Sequence, residues 1–461
     1  LSPFILHPSS FILTFARHKI FANFAWLLTG NVAFKAIGMV STIYLARVLA
    51  DKGFGLFVFA QALIQFPIVL ADSGLGTLAI REMAKTSGRD ATSDQAPLTI
   101  VDFFSLRLVL AIIPLVVLLI IIAAMDRPAP EKWLFTGVAL TLLTQALNPD
   151  WVFQGLERMK YLSLSMFLHQ ALFLVSVFCL VRSAQDLVRV PFLRFISDLL
   201  ISMFFLGLVF SLFFKGATTR LRPSWRRSWN YLKQSLPMGG SQIVLHASYN
   251  VDTILLGFML PVETVGWYNA AYRVVFLVLS VLMLVTNAFA PSFSRFSKDD
   301  PASVVKMVNM FSWILHTLGF VSLVVLIVFA KAIVLKLYGA SYLNAAPALR
   351  LLSISGFFSI LWNIYLQPLL YSGHQKLYFY AVLIGCVTNI LLNVALVPVW
   401  GYQGACCATI ASNFVVYLSG YLLFVRTFRL SHGVVLRETG RTLAFSFACV
   451  ALVLLLGGKI W

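Results

Sequence analysis

Thirteen apolar segments of membrane-crossing length, joined by short polar connections, decide what this chain can become. They run roughly over residues 23–46, 54–76, 103–125, 131–154, 161–182, 191–214, 233–259, 263–293, 308–330, 346–371, 377–399, 402–427 and 440–458. About 20 apolar residues in a helix span a hydrocarbon core of about 30 Å. Inside that core every backbone N–H and C=O must bond within the protein, so segments of this kind fold as helices. The even, alternating strands of a membrane β-barrel are absent from the sequence. Charged residues make up only 11% of the 461, against about 25% in a soluble domain. The expected fold is an all-α polytopic membrane protein.

The net charge of +18 would point to nucleic acid in a soluble protein. Here the basic residues gather in connections on one side. With the N-terminus in the cytoplasm, 21 of the 35 Lys and Arg lie in inside connections and 11 in outside ones. That bias is the positive-inside pattern, so no nucleic-acid partner is expected. Cys179, Cys386, Cys406, Cys407 and Cys449 all lie in apolar runs without metal or disulfide spacing, and read as small buried hydrophobes. No metal site is expected. No phosphate-loop signature occurs, so no ATP hydrolysis is expected of this chain.

A shift of 211 residues lays the first span on the seventh. Val40, Thr42, Ile43, Leu45, Leu49, Gly55 and Ala60 fall on Val251, Thr253, Ile254, Leu256, Leu260, Gly266 and Ala271. The offset is six spans, an even number, so both halves keep one orientation. This predicts two six-helix lobes related by a pseudo-two-fold along the membrane normal, with one extra C-terminal hydrophobic helix. The corresponding division is 1–20 as an N-terminal extension, 21–214 and 233–427 as the lobes, 215–232 as a basic cytoplasmic linker, and 436–461 as the extra span. In the linker Arg220, Arg222, Arg226 and Arg227, with Trp225 and Trp229, suit a headgroup surface.

Ionisable residues inside the spans are the candidates for function, because a charge at bilayer depth costs roughly 2.5–3.5 kcal/mol on insertion scales. Lys35 lies near mid-span, too deep for its stem to reach either interface. It suits a phosphate, as a compact cation with rotatable donors, or an internal pair with an acid. Arg273 offers a planar fork to phosphate, or pairs with Asp252 on the preceding span. Asp252 is open to three roles: binding H+, binding Na+, or countering a basic cavity residue. His246 falls on Lys35 in the repeat register and reads either as a cavity group or as a hydrogen-bonded structural residue. Asp72 and Asp150, near cytoplasmic span ends, are read as caps or gate residues. Arg107 is close enough to its span end to snorkel. Arg194 and Asp198 are four apart and can pair. Pro149 is expected to kink the fourth span.

Five motifs resemble the polysaccharide (O-antigen) flippases of the multidrug/oligosaccharidyl-lipid/polysaccharide exporter superfamily. The first is Thr42-Ile-Tyr-Leu-Ala-Arg-Val-Leu49 followed by Gly53-Phe-Gly-Leu-Phe57. The second is Leu70-Ala-Asp-Ser-Gly-Leu-Gly76 with Ala79-Ile-Arg-Glu82, and the third is Asn148-Pro-Asp-Trp-Val-Phe-Gln-Gly-Leu-Glu157. The fourth is Asp252-Thr-Ile-Leu-Leu-Gly257 with Val265-Gly-Trp-Tyr-Asn-Ala-Ala-Tyr-Arg273, and the last is Gly401-Tyr-Gln-Gly-Ala405. The resemblance implies a two-lobed transporter, not an enzyme. It would flip undecaprenyl-pyrophosphate-linked sugar units outward across a bacterial cytoplasmic (inner) membrane, beside a polysaccharide polymerase. Lys35, Arg273, His246 and Asp252 would line its central cavity. No cofactor is expected; coupling to H+ or Na+ stays open. The family has twelve or fourteen spans, so a count of thirteen leaves the C-terminal topology open. The rival readings are a multidrug or cation exporter, a lipid II flippase, and a membrane glycosyltransferase or polymerase. A cation exporter would want an acidic, aromatic cavity, which the in-span basic residues do not supply. A lipid II flippase would want a full set of fourteen spans. A glycosyltransferase or polymerase would want acidic groups in a large outer loop.

Overall fold

The computed structural model describes residues 8–86, 95–213, 223–293, 301–433 and 440–441. Among the described residues the regular elements are helices and there is no strand. In chain order they are α1 (Pro8–Asp72), α2 (Leu75–Thr86), α3 (Gln95–Ala124), α4 (Ala129–Leu147), α5 (Asp150–Gly155), α6 (Met159–Leu180) and α7 (Arg189–Phe213). There follow α8 (Trp225–Met259), α9 (Val262–Phe293), α10 (Pro301–Val328), α11 (Ala330–Tyr338), α12 (Ala345–Tyr371) and α13 (Gln375–Thr427). Among the described residues, eight helical stretches are long and apolar enough to cross a membrane. Those formed from α1 and α13 each cover two expected spans, because a single non-helical residue breaks each helix. Less apolar α4 and α8 carry two more. The first twelve expected spans thus fall on helices, while 440–458 lies outside the described residues except for 440–441.

The breaks follow local chemistry. Ala50 takes φ 55° in the tiny connection between the first two spans. Gly401 takes φ 58° within α13, at a residue that carries no Cβ penalty there. The second expected span ends early: Ser73 and Gly74 both have positive φ after Asp72, and the chain leaves as the short helix α2. The fourth span is broken rather than kinked. Asn148, ahead of a proline, is extended at φ −66° and ψ 119°, so α4 stops there and α5 begins after Pro149. The break at Ala50 and the turn at Pro261, between α8 and α9, are 211 residues apart, the offset of the sequence repeat.

The chain divides into two compact units. The first holds the chain up to Val48 and Ile64–Ile243; the second holds Leu49–Leu63 and the chain from Val244 on. The division after residue 243 falls inside α8, beyond the basic linker, and the second unit also takes the start of the second span.

In the first unit, the amphipathic α2 buries Leu75, Leu78 and Met83 against Phe103 of α3, Trp151 and Phe153 of α5, and Phe205 of α7. On α3, Ile113, Val117, Ile120 and Ile121 are exposed, as a lipid-facing stripe requires. The start of α8 is tied down by an acid. Asp102 of α3, 1% exposed, accepts from the Ser224 backbone N–H at 2.8 Å and from Arg227 Nε at 2.6 Å. That places an anion at a helix N-terminus, where it is favoured, and its hydrogen bond pushes the Arg227 pKa up. Beside it, Trp225 and Trp229 are exposed and Lys233 lies 5.6 Å from the Trp229 ring, an interfacial pattern.

In the second unit, α12 packs against α9, α10 and α13 around Phe293, Phe311, Ile364, Tyr365, Phe424 and Phe428. Residues 49–63 approach the start of α9 backbone to backbone. A Cβ on Gly266 would stand 2.4 Å from the Asp51 carbonyl oxygen, and one on Gly55 would stand 1.9 Å from that of Val262. The obstacle is main chain, which cannot rotate away. Gly266→Ala should therefore cost about 1–3 kcal/mol, the usual range for overpacking. A lowered melting midpoint of the detergent-solubilised protein would record this; an unchanged midpoint would show that the approach is looser than described.

Candidate functional site

Each unit buries its own polar cluster at membrane depth, and the two differ in chemistry. In the first unit the cluster surrounds a cavity of about 490 Å³. Three helices offer a residue at every turn: Leu27, Asn31 and Phe34 on α1; Leu162, Met166 and His169 on α6; Arg194, Asp198 and Ser202 on α7. Spacings of three and four keep such residues on one helical face. Thr144 and Gln145 of α4, Asn148, and Asp150 and Gln154 of α5 complete the wall.

The charged groups of this wall are held by neighbours. Arg194 donates from Nε to Asp198 Oδ2 at 2.8 Å and from a terminal nitrogen to Gln170 Oε1 at 3.0 Å, with its guanidinium 5.0 Å from the Phe173 ring. Asp198 Oδ1 is buried without a hydrogen-bond partner. Asp150 accepts from Ser165 Oγ at 2.6 Å and from Asn148 Nδ2 at 3.1 Å. The Asp150 N–H in turn donates to Asn148 Oδ1 at 3.0 Å, so Asn148 closes the turn into α5 from both sides. His169 Nδ1 donates to the Ser165 carbonyl at 2.9 Å, which leaves Nε2 to accept from Ser202 Oγ at 3.3 Å.

Behind the wall, Arg107 is 12% exposed and turned inward. It donates to the carbonyls of Gln145 at 3.0 Å and Asn148 at 3.3 Å, the open end of α4, and lies 3.6 Å from Asp72 Oδ1. A cation at a helix C-terminus is favoured by the helix dipole. Asp72 also accepts from the Gly76 N–H at 3.3 Å, at the start of α2. Asp72, Arg107, Asn148 and Asp150 thus form one chain of contacts through the two helix breaks. Lys35, next to Phe34, is half-buried on α1 and is not among the residues lining this cavity.

The second unit carries Asp252, 3% exposed on α8. Its Oδ1 accepts from Asn393 Nδ2 at 2.7 Å; its Oδ2 accepts from the Tyr268 hydroxyl at 2.7 Å and from Thr409 Oγ1 at 2.9 Å. These donors come from α9 and both halves of α13. All are neutral, and among the described ion pairs none involves Asp252. Asn393 Oδ1 is buried with no partner, and Asn389 lies one turn back on the same face. A carboxylate ringed by hydroxyls and amides is a satisfied network with one oxygen to spare.

Arg273 does not meet Asp252. It reaches Gln61 Oε1 at 3.4 Å and has its guanidinium 6.0 Å from the Phe54 ring. Phe54 in turn packs edge-on to Tyr342 at 6.3 Å. His246 is half-buried on α8 and its carbonyl accepts from Asn250 Nδ2 at 2.9 Å. Of the four residues read as one cavity, Lys35 belongs to the first unit. The other three belong to the second, where Asp252 and Arg273 occupy separate surroundings. Sequence reasoning missed Tyr268, Asn389, Asn393 and Thr409, and on the other side Asn31, Gln154 and His169. The signal was there for Asn389 and Asn393, two amides four residues apart in an apolar run.

Long helices broken inside the membrane, with charged and amide groups buried within each unit, define a polytopic membrane protein of the transporter type. The solved structures agree on the fold. The lipid II flippase MurJ in an inward closed conformation superposes with a TM-score of 0.71 at 14% identity, covering 92% of each chain. An inward-facing multidrug transporter of the MATE family superposes at 0.65 with 15% identity, covering 85% of this chain and 95% of that one. The family follows from the sequence: the model described as polysaccharide biosynthesis protein matches residues 20–297, and the chain belongs to that family. A relative from Escherichia coli K12, named as an O-antigen transporter, is 25% identical over 84% of this chain and 92% of its own length. One from Haloferax volcanii, named as a flippase of low-salt glycan biosynthesis, is 21% identical over 86% and 83%.

Asn393→Leu should cost about 1–3 kcal/mol, because it leaves a buried carboxylate oxygen without its donor. Asp252→Leu should cost less, because it removes the buried charge and leaves Asn393 and Thr409 their second acceptors, the Asn389 carbonyl at 2.9 Å and the Ala405 carbonyl at 2.8 Å. Melting midpoints of the two variants in detergent measure the order; equal midpoints would show that the network is not held as drawn.

Proposed function

We propose that this protein flips lipid-linked oligosaccharide, a polyprenyl-pyrophosphate carrying a sugar head, from the cytoplasmic to the outer leaflet of a bacterial inner membrane. The observation that carries the reading is the burial of polar and charged groups among membrane-length helices in both units of a chain from a polysaccharide-biosynthesis family. Polar side chains in hydrocarbon are costly and mark a pathway for polar cargo. The names of the E. coli and H. volcanii relatives support the same cargo class.

The barrier to be overcome is the headgroup. The polyprenyl tail stays in lipid while the pyrophosphate and sugars cross. In this reading the N-terminus is cytoplasmic, the cargo crosses by alternating access, and the chain is a carrier, not an enzyme. Lys35 and Arg273 serve as the cations for the pyrophosphate. Outward movement of negative charge is downhill in an inside-negative membrane, by about 2.3 kcal/mol per charge per 100 mV. The flipped product would be handed to a polysaccharide polymerase.

Asp252 is the place for a coupling ion, H+ or Na+. It offers a carboxylate with no cationic partner. The surrounding hydroxyls and amides supply oxygen donors of the kind hard cations take. Half a turn of the Asn393 amide would present its unpartnered oxygen to the same spot. A cation exporter is the weaker reading, because half-buried Lys35 and Arg273 disfavour a positive cargo.

In a flippase-null cell complemented with this gene, Lys35→Ala with Arg273→Ala should abolish surface glycan while protein abundance holds. Glycan on the surface is read by gel and lectin, abundance by immunoblot. Full export by the double variant would remove the anion assignment.

A further inference from the structure

We propose that the cavity inside the first unit is a sugar-binding subsite, holding one neutral sugar residue of the cargo. The proposal rests on the flippase reading and deepens it. It concerns a place apart from the two cations assigned to the pyrophosphate.

Four observations select a sugar. The first is size: about 490 Å³ falls within the about 300–1,000 Å³ of small-molecule sites. It reaches two helical turns along α1, from Leu27 to Phe34, or about 10 Å at 1.5 Å per residue. The second is the graded wall. Gln145 and Gln154 are exposed, while His169, Asp198 and Ser202 are buried. The lining thus joins solvent-accessible amides to fixed, buried groups.

The third observation is charge. The lining carries two carboxylates, Asp150 and Asp198, against one guanidinium, Arg194. That balance repels phosphate. Asp198 is paired with Arg194, while both oxygens of Asp150 accept from the neutral Ser165 and Asn148 side chains, so the lining keeps a net negative balance that suits hydroxyl donors. The fourth is what remains. Amides at Asn31 and Gln154, each with donors and an acceptor, share the lining with an Arg–Asp pair whose Asp198 Oδ1 lacks a partner. Vicinal hydroxyls donate and accept at once, and this set matches them. Phe34 adds an apolar face for the C–H side of a ring.

The Arg194–Asp198 pair has a structural role as well, joining α7 to Gln170 of α6. Asn31 Nδ2, by contrast, only returns to the Leu27 carbonyl at 3.0 Å, and Gln154 is exposed. Removing these two amides strips the site without breaking the frame.

The experiment uses the full chain in lipid nanodiscs. Saturation-transfer NMR is recorded with glucose, galactose, N-acetylglucosamine, rhamnose and glucuronate, each alone, and inorganic phosphate and Na+ are titrated separately by melting midpoint. The expected result is saturable ring-proton transfer to at least one neutral sugar. Asn31→Ala with Gln154→Ala should weaken that binding at least fivefold, with the melting midpoint unchanged. Lys35→Ala with Arg273→Ala should leave it intact. No neutral sugar binding to the wild type would overturn the proposal. So would sugar binding indifferent to the Asn31/Gln154 pair, or a midpoint response to phosphate or Na+ lost in that pair. If the double amide variant melts early, the single Gln154→Ala variant, at an exposed position, gives the same readout. Sugar binding that survives in a protein unable to restore surface glycan would leave the subsite standing and sink the transport reading instead.

Discussion

Hydrocarbon supplies no hydrogen bonds, so each polar side chain that this protein carries into the membrane has to be answered by another one. Much of the interior follows from that rule. Asp252 could not be buried on α8 unless α9 and α13 brought Tyr268, Asn393 and Thr409 to it. Those three donors come from segments up to 157 residues away, so the carboxylate pins the packing of three helices. In the first unit Arg194 joins α7 to α6, and Asp150 draws in Ser165. The apolar contacts around Tyr365 and Phe153 add mass and close packing, but leucines and phenylalanines slide past one another with little directional preference. The polar pairs set which helix face meets which.

The same rule explains where helices are allowed to stop. A broken helix leaves bare carbonyls and N–H groups, and three helix ends of the first unit come with a charged partner. The open end of α4 is closed by Arg107, whose guanidinium meets the Gln145 and Asn148 carbonyls. The start of α2 is met by Asp72 and the start of α8 by Asp102. Breaks inside a membrane therefore bring ionisable residues with them. In the first unit the break at Asn148–Pro149 forms one end of the cavity wall: satisfying a broken backbone and building a polar cavity are a single structural event.

This bears on what could be read from the residues in advance. Helix placement was legible for the first twelve spans, because hydropathy over about 20 residues is a strong local signal and spans are independent of their neighbours. The break at Asn148–Pro149 was half legible: the proline was visible, but whether it bends a helix or ends it depends on Arg107 arriving from a different span. Charged residues inside spans were easily found, whereas their partners were not. Asp252 and Arg273 looked like a natural pair on adjacent spans, yet Asp252 is surrounded by neutral donors and Arg273 turns to Gln61 and Phe54. Opposite charges on neighbouring helices need a common face, and rotation about a helix axis is a tertiary quantity. Asn31 and Gln154 carry no charge, so nothing local separates them from amides that merely bond their own helix.

The two polar clusters differ in a way that suits different tasks. The cluster around Asp252 is small, closed and made of short bonds near 2.7–2.9 Å to one carboxylate. Such a site changes character when a single small cation arrives, because the donors that serve the carboxylate must turn their lone pairs instead. The cavity of the first unit is roomy and lined in part by amides, with Arg194 and Asp198 paired and Asp150 held by Ser165 and Asn148. Filling it with a neutral guest exchanges water for hydroxyls and leaves that ion pair intact. A wall loose enough to leave such space would hold a lone carboxylate poorly, because the Asp252 donors have to stay within hydrogen-bond distance of its two oxygens. The fixed, buried carboxylate and the roomy cavity are thus two ways of meeting one constraint: in the first the polar groups answer one another with no space between them, and in the second they answer one another around a space left over.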